Sequence, residues 1–582
     1  MSSRRLVAIR DVAALLARNA SNAHRSYACA AYMPSTKQGN KAPWGAATAA
    51  VVGLAYWFYN EQPARCLNRQ LEPDESITEV QDACRLQHWL ASVGANLDAV
   101  EIRDSQHAEA GLGVFASDSV WKPLQVSWWK QPWYRWRKPN DGIILATFPL
   151  HAAITPQTIL SDPVLGSTYQ ELLNIGVLDE RALILLFLTV ERQLGEDSVW
   201  HPWISILPQK LNTPLFYSDE DLAELKGTSL EEAVGVQKWQ LGQAWKRLQP
   251  ACSELLDKSG SFHQQPTFED FMWAHSIFHS RSLAFPEPQG VNGHVSSTPQ
   301  EGIIPGLDFC NHRESSAAKW TIFGTPGLKL DGSGMPTVVP TEVALVCPRQ
   351  QAPKAGQEVT INYGDKGNEM LLMSYGFTQS SNLHDVLMIK CPVAPPEDRD
   401  QLLQARLALL RSRGLAPQLF LPADLLEVRP TRTSADRRLR LPKDVEQALK
   451  ILVMMPKQLA SQLASEEELG PADNTLDAVE QSGERMAVLT TLVGLLELKH
   501  LQMEGEDGTG SLESDIQLIE AEQDDADGGT MSETKRACLI YRSSQKRIAR
   551  EYLIMARQEL HHELNRLHKL KEAEDSNSQG KQ

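Results

Sequence analysis

The chain has 582 residues, 42% of them hydrophobic, which suits two or three globular domains and is too long for one core. Its net charge of −16 argues against a general nucleic-acid-binding protein, whose affinity rests on basic surface. The eight cysteines (Cys29, Cys66, Cys84, Cys252, Cys310, Cys347, Cys391 and Cys538) form no Cys-x-x-Cys pair, so neither a zinc site nor a disulfide framework is expected and no metal ligands are assigned.

Residues 1–41 carry seven Lys and Arg against one Asp, with Arg4, Arg5, Arg10 and Arg18 set among Leu6, Val7, Ile9, Val12, Leu15 and Leu16. A basic amphipathic start of this kind reads as an organelle targeting peptide. The step from Arg25 to Ala28 resembles a mitochondrial processing site, so the expected destination is the mitochondrion, with the chloroplast as the alternative. Residues 42–60 are uncharged between Ala42 and Asn60, near the ~20 residues that span a bilayer, and read as a possible membrane anchor. A second sorting signal and a buried helix stay open for this segment.

Residues 72–98 suggest a helix with Leu86, Trp89 and Leu90 on one side. A strand hairpin follows, with Gly111, Leu112 and Gly113 leading into the apolar Val114, Phe115 and Ala116. From Trp121 to Gly142, five tryptophans mix with Lys122, Lys130, Arg135, Arg137 and Lys138. A packed loop, a membrane-interface segment and a single-strand stacking surface all fit that mixture. Ile143 to Pro149 then reads as a strand, and residues 155–280 as mainly helical, with a strongly apolar helix over Ala182–Gln193. Phe268 to Arg281 forms a further helix. Its terminal Arg281 would ordinarily be a solvated or capping cation.

Two short signals come next. The first runs from Ile304 through Pro305, Gly306, Leu307, Asp308, Phe309 and Cys310 to Asn311 and His312. The second has Val359, Ile361 and Tyr363 alternating as a strand would, followed by Gly364 and then Tyr375, Gly376 and Phe377. Either alone is bland; together, in this order, they resemble SET-domain protein methyltransferases of the branch that includes the Rubisco large-subunit lysine methyltransferase. The resemblance covers about residues 84–390 well and the rest more loosely.

That resemblance implies an α+β fold: a SET-domain β fold with a pseudoknot, split by a helical insertion at about 155–280. It implies S-adenosyl-L-methionine as cofactor, bound by Gly111, Leu112, Gly113, Arg281, Asp308, Asn311, His312, Tyr375, Gly376 and Phe377. Tyr363 would be the catalytic residue, orienting the attacking amine. His312 as a base is tempting from its chemistry, but the family uses this position for binding. The Trp-rich stretch departs from the family pattern and reads as an insertion.

Beyond Phe377 the periodicity turns helical at Asp400–Arg411, Lys443–Leu463, Arg485–Leu501 and Arg536–Leu570. In the last, Ile548, Tyr552, Ala556, Leu560, Leu564 and Leu567 share a face. This resembles the all-α C-terminal substrate-binding domain of the same branch, here over 400–571. Residues 504–529 hold ten Asp and Glu with no Lys or Arg and read as a disordered acidic loop. Residues 572–582 read as a polar tail.

Methyl transfer from a sulfonium needs no metal, because the cofactor carries the difficult chemistry. The protein must align the groups and accept a neutral amine, although free lysine has a pKa of about 10.4. The expectation is therefore a monomeric lysine methyltransferase acting on a non-histone protein, with no nucleic-acid partner. A histidine methyltransferase and a non-catalytic, membrane-tethered adaptor are the alternatives. Intact cofactor residues favour an enzyme over an adaptor; sequence does not separate lysine from histidine.

Overall fold

The computed structural model describes residues 75–105, 111–118, 142–260, 264–285, 300–330, 336–426, 439–468, 478–524 and 531–579. The targeting peptide, the 42–60 segment and nearly all of the Trp-rich insertion lie outside the described residues. Among the described residues, no helix is long and apolar enough to cross a membrane. The chain divides into two units, one of Met1–Leu211 with Trp239–Gly364 and one of Asn212–Lys238 with Asp365–Gln582.

In the first unit, helix α1 (Glu75–Ser92) buries Leu86, Trp89 and Leu90, the side expected from their spacing. Strands β1 (Val100–Asp104) and β2 (Leu112–Ala116) pair antiparallel, with Ile102 opposite Val114. Strand β3 (Gly142–Pro149), β6 (Lys319–Leu330) and β7 (Pro336–Pro348) form a sheet in the order β3-β7-β6. The run Val343–Cys347 is buried along its whole length, so the central strand is apolar on both faces. A small hairpin joins β4 (Leu283–Phe285) to β5 (Gln300–Gly302).

Helices separate these strands. Helix α2 (Glu180–Leu194) is capped by the Asp179 side chain, which accepts from the Ala182 N–H, and it buries every residue from Leu183 to Glu191. Helix α3 (Ser229–Ser259) lies partly in each unit; within the first unit, Trp245 stacks on Phe271 at 5.4 Å. Helix α4 (Phe268–Arg281) starts with a capping box between Thr267 and Asp270 and ends at Arg281.

Residues 358–361 do not form the strand that alternation suggests. Glu358 bridges Phe115, while Ile361 bridges both His312 and Ala318 in parallel. The Val359 N–H donates to Val114 and the Ile361 N–H to Asn311, at 2.7 and 2.9 Å. The segment changes partner every two residues, so no ladder grows. It ties β2 to the 311–318 segment, and Val359, Thr360 and Ile361 are all buried.

The second unit is helical apart from one hairpin, β8 (Val386–Lys390) with β9 (Gln418–Pro422). The strand β9 falls inside the region expected to be all helix because Leu419 and Leu421 alternate into the core opposite Leu387 and Ile389. Helices α5 (Gln401–Ser412), α6 (Lys443–Val453), α7 (Pro456–Glu468), α8 (Ala478–Glu504), α9 (Leu512–Asp524) and α10 (Glu533–Gln579) make up the rest. Val488, Leu489, Leu492 and Leu496 of α8 share a core with Ile548, Ala549, Tyr552 and Ala556 of α10. Leu564, assigned to the same apolar face, is 53% exposed, so that face is interrupted there.

The acidic segment 504–529 is not a disordered loop over its described length. Residues 512–524 are the helix α9, with Leu512 and Asp515 buried. Composition misses this because the compensating charges come from α10. Asp515 accepts from Arg542 at 2.7 Å and from Lys546 at 2.6 Å, and both cations are themselves buried.

Candidate active site

The site begins where β2 starts. Gly111 has φ 59, and Leu112 and Gly113 follow in the strand opposite Asp104 and Arg103. A Cβ on Gly113 would stand 2.7 Å from Glu358 Oε1 and 3.2 Å from Asn311 Nδ2, so this position has no room for a side chain. Those two atoms are themselves bonded: the Asn311 amide donates to Glu358 Oε1 at 2.7 Å. Glycine, asparagine and glutamate from three separate stretches therefore pack into one cradle.

The Pro305-Gly306 turn sets up the next group. Gly306 has φ 96, and a Cβ there would strike Phe148 at 2.6 Å and Leu90 at 2.9 Å. Its N–H donates to Asp308 Oδ1 at 2.8 Å. The Asp308 side chain is fully buried and pairs through Oδ2 with Arg281 Nη1 at 3.0 Å. The same guanidinium nitrogen reaches the Asp308 carbonyl at 3.1 Å, and the Arg281 plane sits 5.0 Å from the Phe309 ring centre. Burial pushes the Asp308 carboxyl above its ordinary range; the Arg281 charge and the surrounding N–H donors oppose that rise.

His312 and Tyr363 form the third group. The Tyr363 backbone N–H donates to His312 Nδ1 at 3.1 Å, and the two rings tilt together at 5.1 Å. An N–H donor at Nδ1 requires that nitrogen to be an acceptor, which places the imidazole proton on Nε2. The Tyr363 hydroxyl donates to the Cys310 carbonyl at 2.8 Å. Burial raises the Cys310 thiol well above its usual value, so it is no thiolate nucleophile.

Tyr375, Gly376 and Phe377 lie in the second unit. Tyr375 ends a single π turn, Leu371–Tyr375, which Gly376 closes at φ 80. The Tyr375 and Phe377 rings meet edge to face at 6.2 Å, and burial pushes the Tyr375 phenol up to about 12. Among the described residues no group of three or more His, Cys, Asp or Glu could hold a metal ion.

Two site partners escaped the sequence reading. Glu358 directly precedes Val359 of the second signal, yet nothing in its spacing links it to Asn311. Trp203, in a short helix within the insertion, donates its indole N–H to Asp308 Oδ2 at 3.0 Å across 105 residues of sequence. No local signal connects those two positions.

Residues 397–548 match the family model described as Rubisco LSMT substrate-binding. The chain is 30% identical over 263 residues to the chloroplastic [fructose-bisphosphate aldolase]-lysine N-methyltransferase of Arabidopsis thaliana, covering 44% of this chain and 48% of that protein. It is 27% identical over 333 residues to the actin-histidine N-methyltransferase of Gallus gallus, covering 56% of this chain and 47% of that protein. The chain thus spans about half the length of these curated relatives. A crystal structure of the LSMT SET domain bound to MeLysine and AdoHcy has the same fold at TM-score 0.57 and 18% identity, covering 85% of this chain and 94% of that one. The chain is thus similar in fold to the LSMT SET domain, and its residues 397–548 match the Rubisco LSMT substrate-binding family model.

Proposed function

We propose that the chain is an S-adenosyl-L-methionine-dependent protein-lysine N-methyltransferase acting on a non-histone protein. The observation that carries this reading is the contact chain Gly113–Glu358–Asn311, Arg281–Asp308 and His312–Tyr363, built from stretches remote in sequence. The residues present fit the cofactor. Arg281 keeps a partly exposed guanidinium edge whose planar donors match a carboxylate. When bound, the cofactor supplies an electrophilic methyl on a sulfonium.

Asn311 and His312 hold the cofactor, and Arg281 receives its carboxylate. Tyr363 donates its hydroxyl proton to Cys310, which leaves the phenolic oxygen as an acceptor. It therefore takes an N–H of the incoming neutral amine and aims the amine lone pair at the methyl. Such positioning accounts for roughly a 10²-fold effect or more. His312 has its Nδ1 engaged by the backbone and binds rather than abstracts a proton. The SET domain with its insertion occupies about 84–390, and the region 400–571 docks the protein substrate.

Residues 1–41 direct organelle import and residues 42–60 retain the enzyme at a membrane. Because the matched Arabidopsis relative is named chloroplastic, the chloroplast stands beside the mitochondrion as destination. Likeness to an actin-histidine methyltransferase favours histidine as the second choice of acceptor. Radiolabelled methyl transfer into organellar extract, followed by mass spectrometry of the labelled residue, tests the reading. A label on lysine supports it, one on histidine selects the second choice, and absence of label with folded protein refutes both.

A further inference from the structure

We infer that Trp203 is a positioning residue for the cofactor's carboxylate: its indole N–H fixes Asp308, and Asp308 fixes the Arg281 guanidinium that receives that group. This rests on the proposed cofactor role of Arg281. Trp203 is fully buried in the short helix His201–Ile204 of the helical insertion. Its Nε1 and Arg281 Nη1 both bond Asp308 Oδ2 at 3.0 Å, and the Gly306 N–H takes Oδ1 at 2.8 Å. All three partners can only donate. These three donors favour an ionised carboxylate at Asp308.

An ion pair at this depth gives little net stability, since apolar groups of similar volume serve as well or better. Its value lies in geometry. The Asp308 side chain is 0% exposed, whereas that of Arg281 is 17% exposed, so the anion is sealed inside and the cation reaches the surface. Arg281 meets Asp308 through Nη1 alone, at both the carboxylate and the carbonyl, while the Phe309 ring supports its plane. Nη2 and Nε, the fork edge, are not used in those bonds. Trp203 anchors the same carboxylate oxygen that Arg281 meets, so the fork edge stays in one orientation before any ligand arrives.

The test uses the full chain with Trp203→Phe, and with Trp203 replaced by 3-benzothienylalanine, which keeps the bicyclic volume and removes the donor. Titration calorimetry follows S-adenosylhomocysteine and 5′-methylthioadenosine, the latter lacking the amino-acid carboxylate. A hydrogen bond to a charged group is worth enough to change affinity by about tenfold or more. Both variants should bind S-adenosylhomocysteine about tenfold more weakly and 5′-methylthioadenosine within about twofold of wild type. Equal loss on both ligands, or retention of both by the benzothienyl variant, overturns the inference. Wild-type protein that binds neither ligand overturns the proposed cofactor site and this inference with it.

Discussion

Asp515→Ala should be among the most damaging single substitutions in the second unit. Asp515 is fully buried and accepts from Arg542 Nε at 3.0 Å, Arg542 Nη2 at 2.7 Å and Lys546 Nζ at 2.6 Å. Truncation leaves Arg542 with Glu224 but leaves the fully buried Lys546 with only the Gly510 carbonyl at 2.8 Å. Burial already lowers the Lys546 ammonium below its ordinary value, and Asp515 is the main group pulling it back. Breaking one partner of such a pair costs about 3–5 kcal/mol. Asp515→Ala with Lys546→Met should recover much of that, because no lone charge is left buried. The assay can be unit-specific. All 14 tryptophans precede Asp365 and none lies in 212–238, so their fluorescence follows the first unit. Far-ultraviolet circular dichroism follows the helices of both units, so a shift confined to the second appears in dichroism and not in fluorescence. Asp515→Ala should shift the dichroism transition in urea and leave the fluorescence transition in place. A cost under about 1 kcal/mol, or no recovery in the double variant, would refute the reasoning.

Four further outcomes are expected. Tyr363→Phe should keep the fold and S-adenosylhomocysteine affinity while turnover drops by roughly 10²-fold; wild-type turnover would remove Tyr363 from the mechanism. Gly113→Ala should push Glu358 and Asn311 apart, cost about 1–3 kcal/mol by overpacking and weaken cofactor binding, checked by melting and calorimetry. Burial raises the Glu191 carboxyl to about 7, with the Ser198 hydroxyl opposing and Asp162 adding to the rise. The native state then keeps a proton that the unfolded chain has released, so stability falls as pH rises from about 4.5 to about 7, and Glu191→Gln should flatten that window by up to about 3 kcal/mol in pH-dependent unfolding. Substitutions of exposed polar residues in 400–571 should lower methylation of whole protein substrate and spare a short lysine peptide; equal loss on both, with lower melting temperature, would assign that region to stability alone.

The sequence by itself determined the elements whose signals are local. The buried side of α1 was legible in Leu86, Trp89 and Leu90, and the apolar α2 in its unbroken run. The paired motifs around Asn311 and Tyr363 carried the family resemblance that implied the fold, because their order is readable without knowing what they touch. Tertiary structure alone decided the rest. Residues 358–361 have the alternation of a strand but trade partners every two residues, and partner exchange leaves no mark in periodicity. Helix α9 looked like a solvated acidic loop because its counter-charges, Arg542 and Lys546, stand on another helix. Leu419 and Leu421 became a strand through pairing with Leu387 and Ile389. Trp203 and Asp308 meet across 105 residues, and only the packing of the insertion against the Gly306 turn turns a core tryptophan into a donor at the site. Long-range hydrogen bonds depend on where two chain segments come to lie, and residue spacing holds no record of that.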